Sequence, residues 1–279
     1  NSQIDDQFGM SVSINADGDR FIVGASNEDS SATGISDVAA TDNAASNSGA
    51  VYVFDLVDNN WVEQAYIKAS NTQKDDLFGL NISISDDGNT IAVGTRFEDS
   101  NSTVINGDET NNSNSRSGAV YVFALNNDQW LQQAYIKASN SQKEDFFGDA
   151  IDLSANGNTL VVGAPLEDSA NLNESDNNRS QSGAAYVYVR NDTDWTKRAY
   201  LKASTIQSGD LFGRSVSISG DGTMIAVSAT GEDSTGAFLS ENEANNSLEG
   251  VGAVHVFKLE SEAWVHASFI KASNPNKAD

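Results

Sequence analysis

Four times along the chain a glutamate, an aspartate and a serine stand together: Glu28-Asp29-Ser30, Glu98-Asp99-Ser100, Glu167-Asp168-Ser169 and Glu232-Asp233-Ser234. Each opens a long polar stretch, and from its Asp to the next recurring Gly is 20, 19, 15 and 19 residues. These stretches are crowded with oxygen donors, among them Asp37, Asp42, Asn106, Asp108, Glu109, Asp176, Glu241 and Glu243. Calcium takes roughly six to eight carboxylate and carbonyl oxygens from a flexible loop. The expectation is therefore a calcium ion held by Glu28, Asp29, Glu98, Asp99, Glu167, Asp168, Glu232 and Asp233. A competing reading makes each Glu-Asp-Ser an Asx turn that starts a solvated loop. The spacing is not that of an EF-hand.

Other chemistry finds little support. Cysteine is absent, so disulfides and thiolate sites are impossible. The two histidines, His255 and His266, fall only in the last unit. His255 stands where the other units have Tyr52, Tyr121 and Tyr186, and His266 where the first has Glu63. Both read as local substitutions on strands, not as members of a triad. No glycine-rich phosphate loop precedes a helix, and the chain is not expected to be an enzyme. A second recurring acid (Asp6, Asp76, Asp145, Asp210) is expected to bond backbone N–H groups where one unit crosses to the next. The one recurring base (Lys68, Lys137, Lys202, Lys271) is expected to pair with that Asp or with a neighbouring unit.

These landmarks recur because the whole chain repeats. Asp6-Gln7-Phe8-Gly9 returns as Asp76-Leu77-Phe78-Gly79, Asp145-Phe146-Phe147-Gly148 and Asp210-Leu211-Phe212-Gly213, in steps of 70, 69 and 65 residues. Within a unit, Met10, Val12 and Ile14 alternate with Ser11 and Ser13, which is the period of a strand over Phe8 to Ile14. Asp17-Gly18 supplies a tight turn, and Phe21 to Ala25 forms a second strand. The polar loop follows, then a third strand at Ala50 to Phe54, apolar on both faces as a strand between two sheets must be. A fourth runs from Trp61 to Ser70. Helical periodicity is absent. Four antiparallel strands that cannot bury both faces alone stack as propeller blades. Trp61, Trp130, Trp195 and Trp264, with the aromatics at 66, 135, 200 and 269, are expected to pack between blades.

Composition bounds the function. With 40 acidic against 16 basic residues the net charge is -24, which argues against nucleic acid as a partner. It argues equally against an anionic membrane surface. No apolar stretch approaches the roughly 20 residues of a membrane-spanning helix, so direct membrane insertion is not expected. The chain starts inside its own repeat pattern, as a mature or excised segment of something longer would.

Phe-Gly on the first strand of every unit, with Gly163-Ala164-Pro165 closing the second strand of the third, resembles the FG-GAP repeat of integrin α-chain propellers and bacterial surface proteins. The other units carry Gly24-Ala25-Ser26, Gly94-Thr95-Arg96 and Ser228-Ala229-Thr230 in that place. The expected fold is an all-β β-propeller of four FG-GAP-type four-stranded antiparallel blades, closed alone or part of a larger ring. It forms a single propeller domain or propeller segment over 1–279, with units near 6–75, 76–144, 145–209 and 210–279. The family commonly closes seven blades. Its Asp-x-Asp-x-Asp-Gly calcium loop is missing between the first two strands, where only the tight turn stands. The resemblance implies an extracellular or cell-surface module of bacterial type, used for adhesion, with a protein or glycan ligand on its loops. The alternative is a structural subunit that self-associates through blade edges into a larger ring or filament.

Overall fold

The structure, a computed structural model, describes residues 4–234 and 250–273. Its strands form four antiparallel sheets, one per repeat. The first blade holds β1 (Phe8–Ile14), β2 (Arg20–Ala25), the two-residue β3 (Ile35–Ser36), β4 (Ala50–Val57) and β5 (Asn60–Ile67). The second holds β6 (Asn81–Ile84), β7 (Thr90–Thr95), β8 (Ala119–Asn126) and β9 (Gln129–Ile136). The third holds β10 (Ala150–Leu153), β11 (Thr159–Ala164), β12 (Ala184–Asn191) and β13 (Asp194–Leu201). The fourth holds β14 (Phe212–Ile218), β15 (Met224–Ala229), β16 (Ala253–Glu260) and β17 (Ala263–Ile270). Each blade is a simple meander, and among the described residues only the first carries an added edge pairing, Ile35 opposite Ile67. This is a β-propeller fold of four blades.

Turn chemistry sets the register. In the first turn of each blade only the glycine is left-handed (Gly18, Gly88, Gly157 and Gly222), while the residue before it is not. The outer hairpins turn through Asp58-Asn59, Asn127-Asp128 and Ser261-Glu262, both residues at positive φ, which matches the twist of the flanking strands. Every outer strand is bulged at the same step, for example between Val53 and Phe54 and between Val122 and Phe123. A bulge re-aims one side chain. In the second blade it turns Gln133 toward the third, where Gln133 Oε1 accepts Trp195 Nε1–H at 2.8 Å.

The two faces of a blade differ. Ile22, Val51, Val53, Ala65 and Ile67 of the first blade pack against Phe78, Ile91, Val93, Tyr121, Phe123 and Trp130 of the second. The same small-against-aromatic pairing joins the second blade to the third and the third to the fourth. Phe78 meets Tyr121 edge-on at 5.4 Å, and Phe147 meets Tyr186 at 5.2 Å. Trp130 and Trp195 are buried at 7% and 5% exposure against the preceding blade, whereas Trp61, in the first blade, is 45% exposed.

Close backbone approach explains the Phe-Gly and Gly-Ala pattern. Gly49, Gly118 and Gly183 each bridge in parallel to the Phe of the next blade's Phe-Gly. A methyl on Gly118, which sits at φ +83, would lie 1.9 Å from the carbonyl oxygen of Phe147. A methyl on Gly24 would lie 2.0 Å from the carbonyl oxygen of Gly79. The phenylalanine fills the joint while glycines on both sides let the backbones touch. Gly118→Ala is therefore expected to destabilise by roughly 3 kcal/mol or more, because both the contact and the φ are refused. Gly18→Ala, with nothing within 4 Å, should cost only about 1 kcal/mol of left-handed strain. Urea unfolding of the two variants side by side measures the difference.

Candidate functional site

The Glu-Asp-Ser triplets stand at the roots of the long loops, and each residue has a definite job there. Lys68 Nζ donates to Glu28 Oε2 at 2.7 Å and to Ser48 Oγ at 2.7 Å. Lys137 repeats this with Glu98 at 2.7 Å and Ser117 at 2.8 Å, and Lys202 with Glu167 at 2.9 Å and Ser182 at 2.8 Å. Lys271 pairs with Glu232. All four pairs are buried. The lysine thus joins the glutamate of its own blade, and the expected pairing with the Asp of Asp-x-Phe-Gly is corrected. Burial lowers the affinity of Lys68, Lys137 and Lys202 for the proton, and the facing glutamates oppose that shift.

The aspartates tie the loops shut. Asp29 Oδ1 accepts the N–H of Asn47 at 2.8 Å, Asp99 that of Arg116 at 2.7 Å, Asp168 that of Gln181 at 2.7 Å and Asp233 that of Gly250 at 2.7 Å. All four donors sit at positive φ, so the aspartate holds a strained return of the chain. A calcium ion at Glu28, Asp29, Glu98, Asp99, Glu167, Asp168, Glu232 and Asp233 would have to share these carboxylates with the partners they already hold. A lysine ammonium neutralises each glutamate, and a backbone amide engages each aspartate. Among the described residues no group of three or more His, Asp or Glu is placed to hold a metal. Glu241 and Glu243 lie outside the described residues.

A third recurring group crosses the joint. Asn140, on the segment after β9, donates from Nδ2 to Glu167 Oε1 at 2.8 Å and accepts from Tyr186 Oη at 2.6 Å. Asn71 does the same one blade earlier with Glu98 at 3.3 Å and with Tyr121. The Lys–Glu pairs of the second and third blades are thus locked to the blade before them. Sequence reasoning missed this clasp. Its signal was the joint recurrence of Lys and Glu, and the Asn that accompanies Tyr121 and Tyr186 but becomes Thr205 ahead of His255.

Asp76, Asp145 and Asp210 are buried beside this clasp. Asp145 Oδ2 accepts the N–H of Gln142 at 2.8 Å, and Asp210 that of Gln207 at 2.9 Å. Burial, reinforced by Glu98 and Asp99, pushes Asp76 up to about 8. Burial likewise takes Asp145 to about 8 and Asp210 to about 7. His255 is buried against Phe212 and His266, and burial pushes it down to about 3, so it is neutral and serves packing.

Between the loop roots of the first two blades lies an open cavity of about 560 Å³, lined by Asn27, Asn47, Lys74, Phe97, Asp99 and Arg116 among others. The Arg116 guanidinium stands 5.5 Å from the Phe97 ring centre. Two cations, Lys74 and Arg116, share this cavity with two carboxylates, Asp75 and Asp99, and Lys74 Nζ lies 3.8 Å from Asp75, so its lining suits a polar, planar group.

The repeat structure decides the family. A model of the FG-GAP repeat matches residues 61–123, 130–188 and 195–257, about two thirds of the chain. The chain belongs to the FG-GAP repeat family. Each match runs from the outer strand of one blade to the third strand of the next, so the family pattern spans the joint described above. No curated protein matches the chain by sequence. Among solved structures it is similar to a putative 6-phosphogluconolactonase from Bacteroides uniformis, at 12% identity and TM-score 0.49, covering 94% of this chain and 54% of that one. It is also similar to a functionally unknown protein from Desulfotomaculum acetoxidans, at 14% identity and TM-score 0.46, covering 96% and 58%. The chain spans little more than half the length of these structures.

Two outcomes follow for the FG-GAP joint. Lys137→Met strands the Glu98 charge in the interior and is expected to cost roughly 3–5 kcal/mol, whereas Lys137→Met with Glu98→Leu should recover much of that loss. Chemical unfolding of single and double variants tests the pair. The buried aspartates set a pH dependence. Their folded values lie above the unfolded value near 4, so the folded state holds more protons between about pH 4 and pH 8. Their contribution to stability is therefore full below about pH 4 and is lost as pH rises to about 8. Asp145→Asn should flatten the fall in stability across that window relative to the parent chain.

Proposed function

We propose that this FG-GAP chain is a non-enzymatic binding module of a bacterial surface or secreted protein, used for adhesion, which presents its long acidic loops to a protein or glycan ligand. The observation that carries the reading is the contrast between root and tip. At each described loop root, Glu, Lys, Asp and the returning backbone repeat the same bonds. Beyond the roots the loops differ: Asp42 holds Ser30 and Ser31 in the first, Asp108 holds Thr110 in the second, and Asp176 holds Asn171 in the third. A constant scaffold under variable loops is the arrangement that recognition surfaces use. The cavity bearing Lys74, Asp75, Phe97, Asp99 and Arg116 offers such a ligand a seat, one suited to a polar group that both donates and accepts hydrogen bonds. The FG-GAP family is generally non-enzymatic, which agrees with a neutral, packed His255.

The test replaces residues 31–44, 101–112 and 170–178 with short Gly-Ser turns, leaving the Glu, Asp and Lys roots in place. Beads coated with parent or variant chain are scored on panels of immobilised matrix proteins and glycans, with far-UV circular dichroism as the control for folding. The parent should adhere to some surface and the folded variant should lose about tenfold or more. Equal adhesion by both, or none by the parent, overturns the reading.

A further inference from the structure

A residue that breaks the repeat at one joint is not needed to build the others, so departures that cluster mark a place with its own task. Phe97 and Arg116 stand where the third blade has Leu166 and Gln181. Arg96 stands where the first and third have Ser26 and Pro165, and Phe146 where the second and fourth have Leu77 and Leu211. These four departures meet. The Arg96 guanidinium lies 4.7 Å from the ring centre of Phe97 and 5.4 Å from that of Phe146, and the two rings meet edge-on at 5.5 Å. Arg96 is anchored in turn on the buried Asp149, which also takes Arg214. Phe97 is thereby held as a fixed wall of the 560 Å³ cavity between the first two loop roots, with the Arg116 guanidinium 5.5 Å from its centre.

The polar lining narrows the occupant. Asp75 accepts from Asn47 Nδ2 at 2.8 Å and faces Lys74 at 3.8 Å, so these three answer one another. Asp99 gives Oδ1 to the N–H of Arg116 at 2.7 Å, which leaves Oδ2 to accept from a ligand. Beside it the exposed Arg116 supplies a planar fork of donors. A carboxylate entering here meets Asp99 and Asp75 as like charges, and an ammonium meets Arg116 and Lys74. A neutral carboxamide avoids both conflicts. Its carbonyl accepts from Arg116, its NH2 donates to Asp99, and its plane lies against Phe97. Arg116 and Phe97 both present flat surfaces, which a planar amide covers more fully than a puckered sugar ring. We propose that this cavity binds the side-chain amide of a glutamine or asparagine on an extended segment of a protein ligand. This rests on the adhesion reading and names the chemical group recognised.

Fluorescence anisotropy with short labelled Gln-Gly, Glu-Gly and Ser-Gly repeat peptides, titrated with the chain to about 1 mM, provides the test. The parent is expected to bind the Gln-Gly peptide about tenfold or more tightly than either of the others. Arg116→Gln and Phe97→Leu, each carrying the third blade's residue, should lose that preference while circular dichroism stays unchanged. Asp99→Asn keeps an acceptor for the Arg116 N–H but removes the like charge. It should turn the preference toward the Glu-Gly peptide, a shift that a merely structural role would not produce. Equal binding of the three peptides, binding of none, or a preference indifferent to Arg116→Gln overturns the proposal. Tighter, Arg116-dependent binding of a neutral β-glucan oligomer overturns it too, by giving the seat to a sugar. If loop replacement abolishes adhesion while the peptides are not told apart, the adhesion reading stands and this one falls.

Discussion

Everything in this fold depends on backbones touching at the blade joint. The contact between Gly49 and Phe78, and that between Gly24 and Gly79, tolerate no side-chain carbon. Because the two chains meet there, the aromatic rings on one face of each blade reach the small aliphatic residues on the other. Burial of that mixed layer supplies the apolar stabilisation, and close packing makes the spacing between blades nearly invariant. The left-handed residues Leu77, Phe146 and Leu211 just ahead of each Phe-Gly are a consequence. Their N–H groups are turned toward the preceding loop return, and the hydrogen bonds so gained offset the strain.

The charge pattern follows from the same joint. A net charge of -24 would favour expansion of the chain, yet four of its few cations are spent in the interior. Each buried lysine answers a glutamate, a serine hydroxyl completes the site in the first three blades, and an asparagine from the blade before links the first-to-second and second-to-third joints. A buried ion pair adds little net stability but is costly to break. Its contribution here is specificity: Glu, Lys and the incoming Asn meet only when a blade is correctly stacked. The neighbouring Asp keeps its proton well above the usual range, which limits the negative charge that accumulates at the joint.

The fold was largely legible because period-two alternation and the repeat both report backbone geometry directly. Phe8–Ile14 was readable to the residue, since Met10, Val12 and Ile14 alternate cleanly. The outer strand ends at Ile67, not Ser70, because Lys68 turns inward to its glutamate. The site was harder to read. Glu28-Asp29 and its copies carry the composition of a calcium loop, but composition does not say which way a carboxylate points. The deciding partner lies 40 residues away in the first unit and 35 in the third, a separation that changes with loop length while the pairing does not. Local spacing hides such a pair. Comparison of the four units with one another exposes it.

The fourth blade shows that the units diverge in linked groups. Tyr becomes His255 where the incoming Asn becomes Thr205, so a clasp built on Tyr–Asn gives way to Ser204 facing His255 at 3.4 Å. Ser48, Ser117 and Ser182 become Val251, and Lys271 reaches Ser234 instead at 3.4 Å. Gly becomes Ser228, whose Oγ accepts Ser215 N–H at 2.8 Å from within its own blade. The first change lies on the face toward the third blade, and the other two lie on the opposite face, which no other blade among the described residues covers. At the internal joints Lys, Glu, Ser, Asn and Tyr form one connected set of bonds, so a change in one removes a partner of another.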